Sequence, residues 1–329
     1  MTFMTEVVNL VYLTTSVEVV GLSSWTLHDV PDQRGRSVII TGGNTGLGFQ
    51  TASMFADKGA DVLIACRDAA RAAAAVDRIR ARGPRGTVRA GSLDLADLDS
   101  VRAFAHEVLA GQERLDALVN NAAVMWTPLA RTKQGFESQF GTNHLGHFAL
   151  TGHLLPLLLR TPGARVTTVT SLAQTQGRID FEDLNWRTRP YSTGAAYGQS
   201  KLANMLFVLE LDRRLRAAAL DLTVTASHPG WTSTELTRHS PAFLQRVSRW
   251  IGMRPDKGAL TTMRAATDPD APGGSYWGPR RLFGTKGHPG PARIIRRAQD
   301  TAVAARLWAE STRLTGVGFP LAARTGQTG

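Results

Sequence analysis

Apolar and β-branched residues gather in short runs from Arg36 onward, separated by longer stretches whose apolar positions fall three and four apart. The runs predict strands over 37–41, 61–66, 87–92, 117–120, 165–170 and 223–228, with a short seventh near 273–277. The intervening stretches predict helices over 46–58, 69–82, 97–109, 134–159 and 195–220, and Pro156 is expected to end or bend the fourth. Each strand is separated from the next by enough chain for a crossover helix, so the pattern predicts an α/β fold with a parallel sheet covered on both faces. No composition shift marks a second domain. One domain is expected over 35–320, after an N-terminal extension over 1–34 and before a tail over 321–329. Two segments, 175–194 and 231–256, lack clear periodicity and read as loops over a site. Within the second, Phe243, Leu244, Val247, Trp250 and Ile251 fall at helical spacing, which suits either a substrate lid or a helix docked on the core.

Composition narrows the class. The 329 residues are 43% hydrophobic and 20% charged, without repeats or low-complexity tracts, as in a soluble globular protein. The formal charge is +11, and the 38 basic residues are five lysines and 33 arginines. These are spread among acidic residues with no basic run interleaved with aromatics, which argues against a nucleic-acid reader. A coding bias toward arginine explains the excess more simply, with part of it left to attract a phosphorylated cofactor or an anionic surface. The single cysteine, Cys66, cannot form an internal disulfide, so a cytoplasmic setting is expected. Apolar stretches over 7–13 and 17–22 are interrupted by Asn9 and Glu18 and follow no basic segment, and are read as neither a signal peptide nor a transmembrane segment. The eight histidines, including His144, His147 and His153, lack partners at metal-ligand spacing, and no metal is expected.

Candidate chemistry begins at the first strand end, where Thr41-Gly42-Gly43-Asn44-Thr45-Gly46-Leu47-Gly48 leads into a helix. A glycine-rich turn lets the backbone approach a pyrophosphate, and free amides at the helix N-terminus attract its charge. About eighteen residues beyond Gly48, where a carboxylate would bind the ribose of NAD, stands Cys66, followed by Arg67. An arginine there suits the 2′-phosphate of NADP, so NADP(H) is expected in preference to NAD(H). Asp68 reads as the N-cap of the next helix. Farther along, Tyr197 and Lys201 stand at i, i+4 and share one helix face. A nearby ammonium would favour the phenolate and bring Tyr197 towards proton exchange at neutral pH.

Gly-x-x-x-Gly-x-Gly departs from the Gly-x-Gly-x-x-Gly dinucleotide fingerprint and resembles the phosphate loop of the short-chain dehydrogenase/reductase (SDR) family. Other motifs follow in the family's order over about residues 25–320. Asp94-Leu95 stands where the family contacts adenine. Asn120-Asn121-Ala122-Ala123 resembles its Asn-Asn-Ala-Gly, with Ala123 replacing glycine, and Pro229-Gly230 with Thr234 resembles its clasp on the nicotinamide carboxamide. The resemblance implies a Rossmann-type doubly wound sheet of about seven strands and a catalytic set of Asn143, Ser171, Tyr197 and Lys201. Ser171 and Tyr197 would face the substrate oxygen, Lys201 would bond the nicotinamide ribose, and Asn143 would hold a water that refills the proton through Lys201. A homodimer or homotetramer is implied as well. Ala65-Cys66-Arg67-Asp68, Thr142 to His147 and Ser200 to Asn204 are most similar to the branch containing retinol dehydrogenases and protochlorophyllide reductase-like enzymes, which implies a bulky, apolar alcohol or carbonyl substrate. Two alternatives stand beside this one: hydride transfer to a conjugated C=C bond, and a non-catalytic NADP(H)-binding regulatory protein.

Overall fold

The computed structural model describes residues 24–231 and 253–321. Eight strands form one sheet: β1 (Ser37–Thr41), β2 (Asp61–Cys66), β3 (Val88–Ser92), β4 (Ala117–Asn120), β5 (Arg165–Val169), β6 (Thr223–Ser227), β7 (Tyr276–Arg281) and β8 (Lys286–Pro291). Their order is β3-β2-β1-β4-β5-β6-β7-β8. The chain turns back on itself beside β1, and in open α/β sheets ligands bind at that switch point, outside the strands' carboxyl ends.

Side chains alternate across the sheet with period two. From β1, Ile39 enters one apolar cluster, while Val38 and Ile40 enter the other. The first cluster lies under α3 (Leu98–Gly111), α4 (Gly146–Arg160), α5 (Thr193–Ala217) and α7 (Thr301–Thr315). The second lies under α1 (Gly46–Asp57), α2 (Ala69–Arg80) and α6 (Pro255–Thr267). With both faces covered, the inner strands are buried nearly end to end, which is why they read as continuous apolar runs. This is a single Rossmann-like α/β domain.

Three expectations need correction. The sheet has eight strands rather than about seven, and β8 pairs antiparallel with β7, Trp277 opposite Pro291 and Arg281 opposite Lys286. Its sequence, Lys-Gly-His-Pro-Gly-Pro, lacks strand-forming residues; an edge strand tolerates proline because one side of its backbone needs no partner. Pro156 does not end its helix, since α4 continues to Arg160 with Pro156 on the exposed side. The fourth predicted helix is also not uniform: Ser138–Phe140 leads through a π-helical turn, Gly141–Leu145, into α4. Helices α6 and α7 were not foreseen from the hydrophobic pattern.

Residues 24–34, on the segment read as an extension, lie against the fold. Trp25 and Val30 join the second cluster, Lys58 Nζ donates to Val30 O at 2.8 Å, and the Arg264 guanidinium stands 5.8 Å from the Trp25 ring centre. The 243–251 stripe lies outside the described residues, as does most of the 231–256 lid.

Candidate active site

A cleft of about 240 Å³ opens at the carboxyl ends of the central strands. Its floor is the β1–α1 turn, where Gly42 and Gly46 adopt left-handed backbone, φ +66° and +54°. Gly48 meets a different constraint. A Cβ there would come within 2.3 Å of Gly42 O and 2.5 Å of Asn121 Nδ2. Thr45 caps α1 without a side-chain hydrogen bond, and no acidic residue occupies the first turn. The first amides of α1 are therefore left for an anion, with the helix dipole behind them. Asn44, Thr45, Gly46 and Leu47 line this part, and Asn121, Ala122 and Ala123 form the facing wall. The wall is tied to the floor: Asn121 Nδ2 donates to Thr41 O at 2.8 Å, and Thr41 Oγ1 accepts the backbone N–H groups of Asn121 and Ala122 at 2.9 Å each. A cradle of glycines with open amides fits the pyrophosphate of a dinucleotide.

Ser171, Tyr197 and Lys201 converge in the same cleft. Ser171 ends the β5 strand path and caps a short 3-10 turn, its Oγ accepting Ala173 N–H at 3.2 Å. Helix α5 carries Tyr197 and Lys201, and Thr170 Oγ1 bonds Lys201 O at 2.8 Å, fastening the helix to the end of β5. The Lys201 ammonium lies 5.7 Å from the Tyr197 ring centre and donates to Val169 O at 3.0 Å. Burial pushes the Tyr197 phenol up to about 12, with the Ser171 hydroxyl pulling the other way, and pushes Lys201 down to about 7. The expectation that Lys201 draws the phenol towards neutrality is thereby corrected. Both groups are desolvated, and burial is the leading cause of each shift.

Asn143 lies outside the cleft lining, fully buried in the π turn. Its Oδ1 accepts Val124 N–H at 2.8 Å, and its Nδ2 donates to Val124 O at 2.9 Å and to Ser200 Oγ at 3.0 Å. Ser200 Oγ in turn donates to Tyr197 O at 2.8 Å. The carboxamide is thus a brace between the β4 loop and the tyrosine-bearing helix. The Asn143 carbonyl has a partner as well, His147 Nδ1 at 2.9 Å, while His147 Nε2 lies 2.9 Å from Thr41 Oγ1. The Asn143 carbonyl can only accept, so the proton of the neutral ring sits on Nδ1 and Nε2 is left as an acceptor for the Thr41 hydroxyl, which also lies 3.4 Å from Val119 O. Burial, with the Lys201 charge adding, holds this imidazole down to about 4, hence neutral.

At the end of β2, outside the cleft lining as Asp94 and Leu95 also are, Cys66 is buried and its thiol pushed up by burial, while the Arg67 side chain is 77% exposed. Asp68 caps α2 by accepting Arg71 N–H at 3.0 Å, as its position suggested. Asp94 pairs with Arg67 at 3.9 Å and accepts Ala96 N–H at 2.9 Å. Leu95 is buried in the core, its carbonyl against Gly146. Pro229 and Gly230 line the cleft, and Thr234 lies outside the described residues. Met125, Val169 and Thr170 also line the cleft and were not singled out from the sequence. Their signal was adjacency alone, two residues past Ala123 and just before Ser171. No group of three or more metal-ligating side chains occurs among the described residues.

The short chain dehydrogenase family model matches residues 36–244. The chain belongs to this family. It is 43% identical over 296 residues to human retinol dehydrogenase 13, covering 87% of this chain and 86% of that protein. Mouse retinol dehydrogenase 14 is 40% identical over 302 residues, covering 86% of each. Among solved structures, an uncharacterised protein from Mycobacterium paratuberculosis is 47% identical with a TM-score of 0.76, covering 91% of this chain and all of that one. The Pseudomonas aeruginosa RhlG/NADP complex is 29% identical with a TM-score of 0.58, covering 72% and 91%. As a short-chain dehydrogenase of the retinol dehydrogenase branch, the protein is an oxidoreductase acting on alcohol or carbonyl groups.

Proposed function

We propose that this short-chain dehydrogenase uses NADP(H) to interconvert an alcohol and a carbonyl compound of bulky, apolar character, with Tyr197 as the general acid/base. The observation that carries the reading is the convergence of Ser171, Tyr197 and Lys201 in the cleft whose floor is the open α1 N-terminus. NADP(H), when bound, supplies or accepts the hydride at C4 of the nicotinamide. As negative charge grows on a carbonyl oxygen, the hydroxyls of Ser171 and Tyr197 supply donors aimed at it. Burial keeps Tyr197 protonated through the neutral range, as a general acid requires. Lys201, held near neutrality by burial, takes and returns a proton at Nζ behind the phenol. Asn143, through Ser200 and the Tyr197 carbonyl, fixes where the phenol stands.

The preference for NADP(H) rests on chemistry at the end of β2, where Cys66 offers no carboxylate to a ribose and Arg67 offers an exposed guanidinium. The NADP complex of the related RhlG agrees with it. The apolar substrate class rests on the likeness to retinol dehydrogenases, and a cytoplasmic setting on the single buried cysteine.

The test is a panel of aldehydes, ketones and alcohols graded by size, assayed with NADPH and NADH. Turnover should favour NADPH and larger apolar substrates, and Tyr197→Phe should reduce kcat by roughly a thousandfold or more. Unchanged turnover in Tyr197→Phe would overturn the role of the phenol; reduction of an enal at its C=C bond alone would replace the reaction.

A further inference from the structure

The hairpin joining β7 to β8 holds an arrangement the fold itself does not explain. Leu282 and Phe283 at its tip are 63% and 82% exposed, and with Trp231 they make three of the four exposed large apolar side chains among the described residues. Both tip residues have positive φ, 49° and 55°, a conformation that suits asparagine or glycine and strains leucine and phenylalanine. Directly beneath, Arg281 and Lys286 face each other across the ladder. Like charges so placed repel. Neither they nor Arg280 has an ion-pair partner among the described residues, and the sequence carries no carboxylate from Ala271 to Gln299. The tip also borders the cleft. Gly284 lies against Leu172, the neighbour of Ser171, and Trp231 N–H donates to Thr285 O at 3.0 Å beside Gly230.

We propose that this tip docks on an anionic phospholipid surface, placing the cleft mouth where an apolar substrate dissolved in the bilayer can reach it. The order of groups selects this occupant. The apolar pair stands outermost, where it enters the headgroup and acyl boundary, and the cations stand one rung behind, at the level of lipid phosphates. A second copy of the chain would set cation against cation, and an acidic protein surface would leave the apolar pair unpartnered. The choice of bilayer-dissolved substrate rests on the apolar alcohol or carbonyl reading of the cleft; the surface contact does not.

The purified full-length chain should float with phosphatidylcholine vesicles that contain phosphatidylglycerol, and poorly with phosphatidylcholine alone. Added salt should weaken the binding. Leu282→Asn/Phe283→Gly, which relieves the backbone and so keeps the fold, should reduce vesicle binding roughly tenfold while leaving NADPH turnover of a small soluble aldehyde unchanged. Arg281→Ser/Lys286→Ser should reduce the phosphatidylglycerol dependence by roughly fivefold per charge. Equal vesicle binding by wild type and both variants overturns the proposal. So does a wild-type dimer, seen by light scattering without lipid, that Leu282→Asn/Phe283→Gly dissociates, or retention on nucleic acid in place of vesicles. Vesicle binding needs no turnover, so a chain that binds vesicles but turns over no alcohol or carbonyl compound overturns the functional reading and leaves the docking surface standing.

Discussion

Gly48 shows how one missing Cβ keeps the β1–α1 turn close to the facing wall of the cleft. In Gly48→Ala the new methyl meets main-chain atoms of Gly42 that cannot rotate away, unlike a flexible side chain. Overpacking of this kind costs about 1–3 kcal/mol, and the displaced turn loses its fit to the pyrophosphate. The expected outcome is a dissociation constant for NADPH at least roughly tenfold higher by fluorescence titration, with a lowered unfolding midpoint. Arg67 should behave in the opposite way, since its exposed side chain has little hold on the fold. Arg67→Glu should lower kcat/KM with NADPH by roughly 10- to 100-fold, leave the value with NADH nearly unchanged, and preserve the melting temperature. These residues were legible in the sequence because backbone freedom and charge are properties of the residue itself. The protonation of Tyr197 was not: i, i+4 spacing reports that Lys201 is a neighbour, whereas the phenol's position near 12 depends on how completely the fold excludes water from both.

Among the elements, the inner strands and four of the five predicted helices were readable because each buries a face with its own period, and the fourth was readable from Gly146 onward. The π turn and β8 were not readable, for different reasons. Strand β8 is held by its partner and not by its residues. The π turn is held by polar contacts between distant positions, with Asn143 bridging Val124 and Ser200 and His147 bridging Thr41 and the Asn143 carbonyl. Periodicity in one segment contains none of these pairings. Asn143→Ala should therefore act on the element before it acts on the chemistry. It leaves the N–H and C=O of Val124 without their partner and takes from the Ser200 hydroxyl the donor it accepts, a loss of about 2–3 kcal/mol measurable by denaturant unfolding. It should also lower kcat more than it raises KM for NADPH, because α5 shifts while the α1 cradle remains.

At the scale of the whole molecule, buried histidines couple stability to acid. His144, His147 and His228 are pushed down to about 3, 4 and 4, chiefly by burial, whereas in an unfolded chain they titrate near pH ~6.5. Between those values the unfolded state binds more protons, so stability rises with pH and is lost as pH falls from about 6.5 towards 4. Near pH 5 the difference approaches about three protons, a slope of roughly 4 kcal/mol per pH unit. Denaturant unfolding across this range should show it, and an uptake below about one proton would contradict the neutral, buried state of these rings. Lys201 acts above this window. Its ammonium is disfavoured by burial, so stability should rise again from about pH 7 towards pH ~10.5.

The packing of Trp25 imposes an order in time. Its main-chain carbonyl meets His288, which follows it by 263 positions, and its ring lies beside Arg264 of α6. A ribosome adding about 5–20 residues per second needs roughly 10–50 s to cover that separation. Strands β1 to β6 can pair during this wait, because each neighbour of β1 is made early. The face of α1 that α6 covers cannot close, and neither can the pocket around Trp25 and Val30. During synthesis, one side of a nearly complete sheet thus remains an uncovered apolar surface until α6 and β8 have left the ribosome.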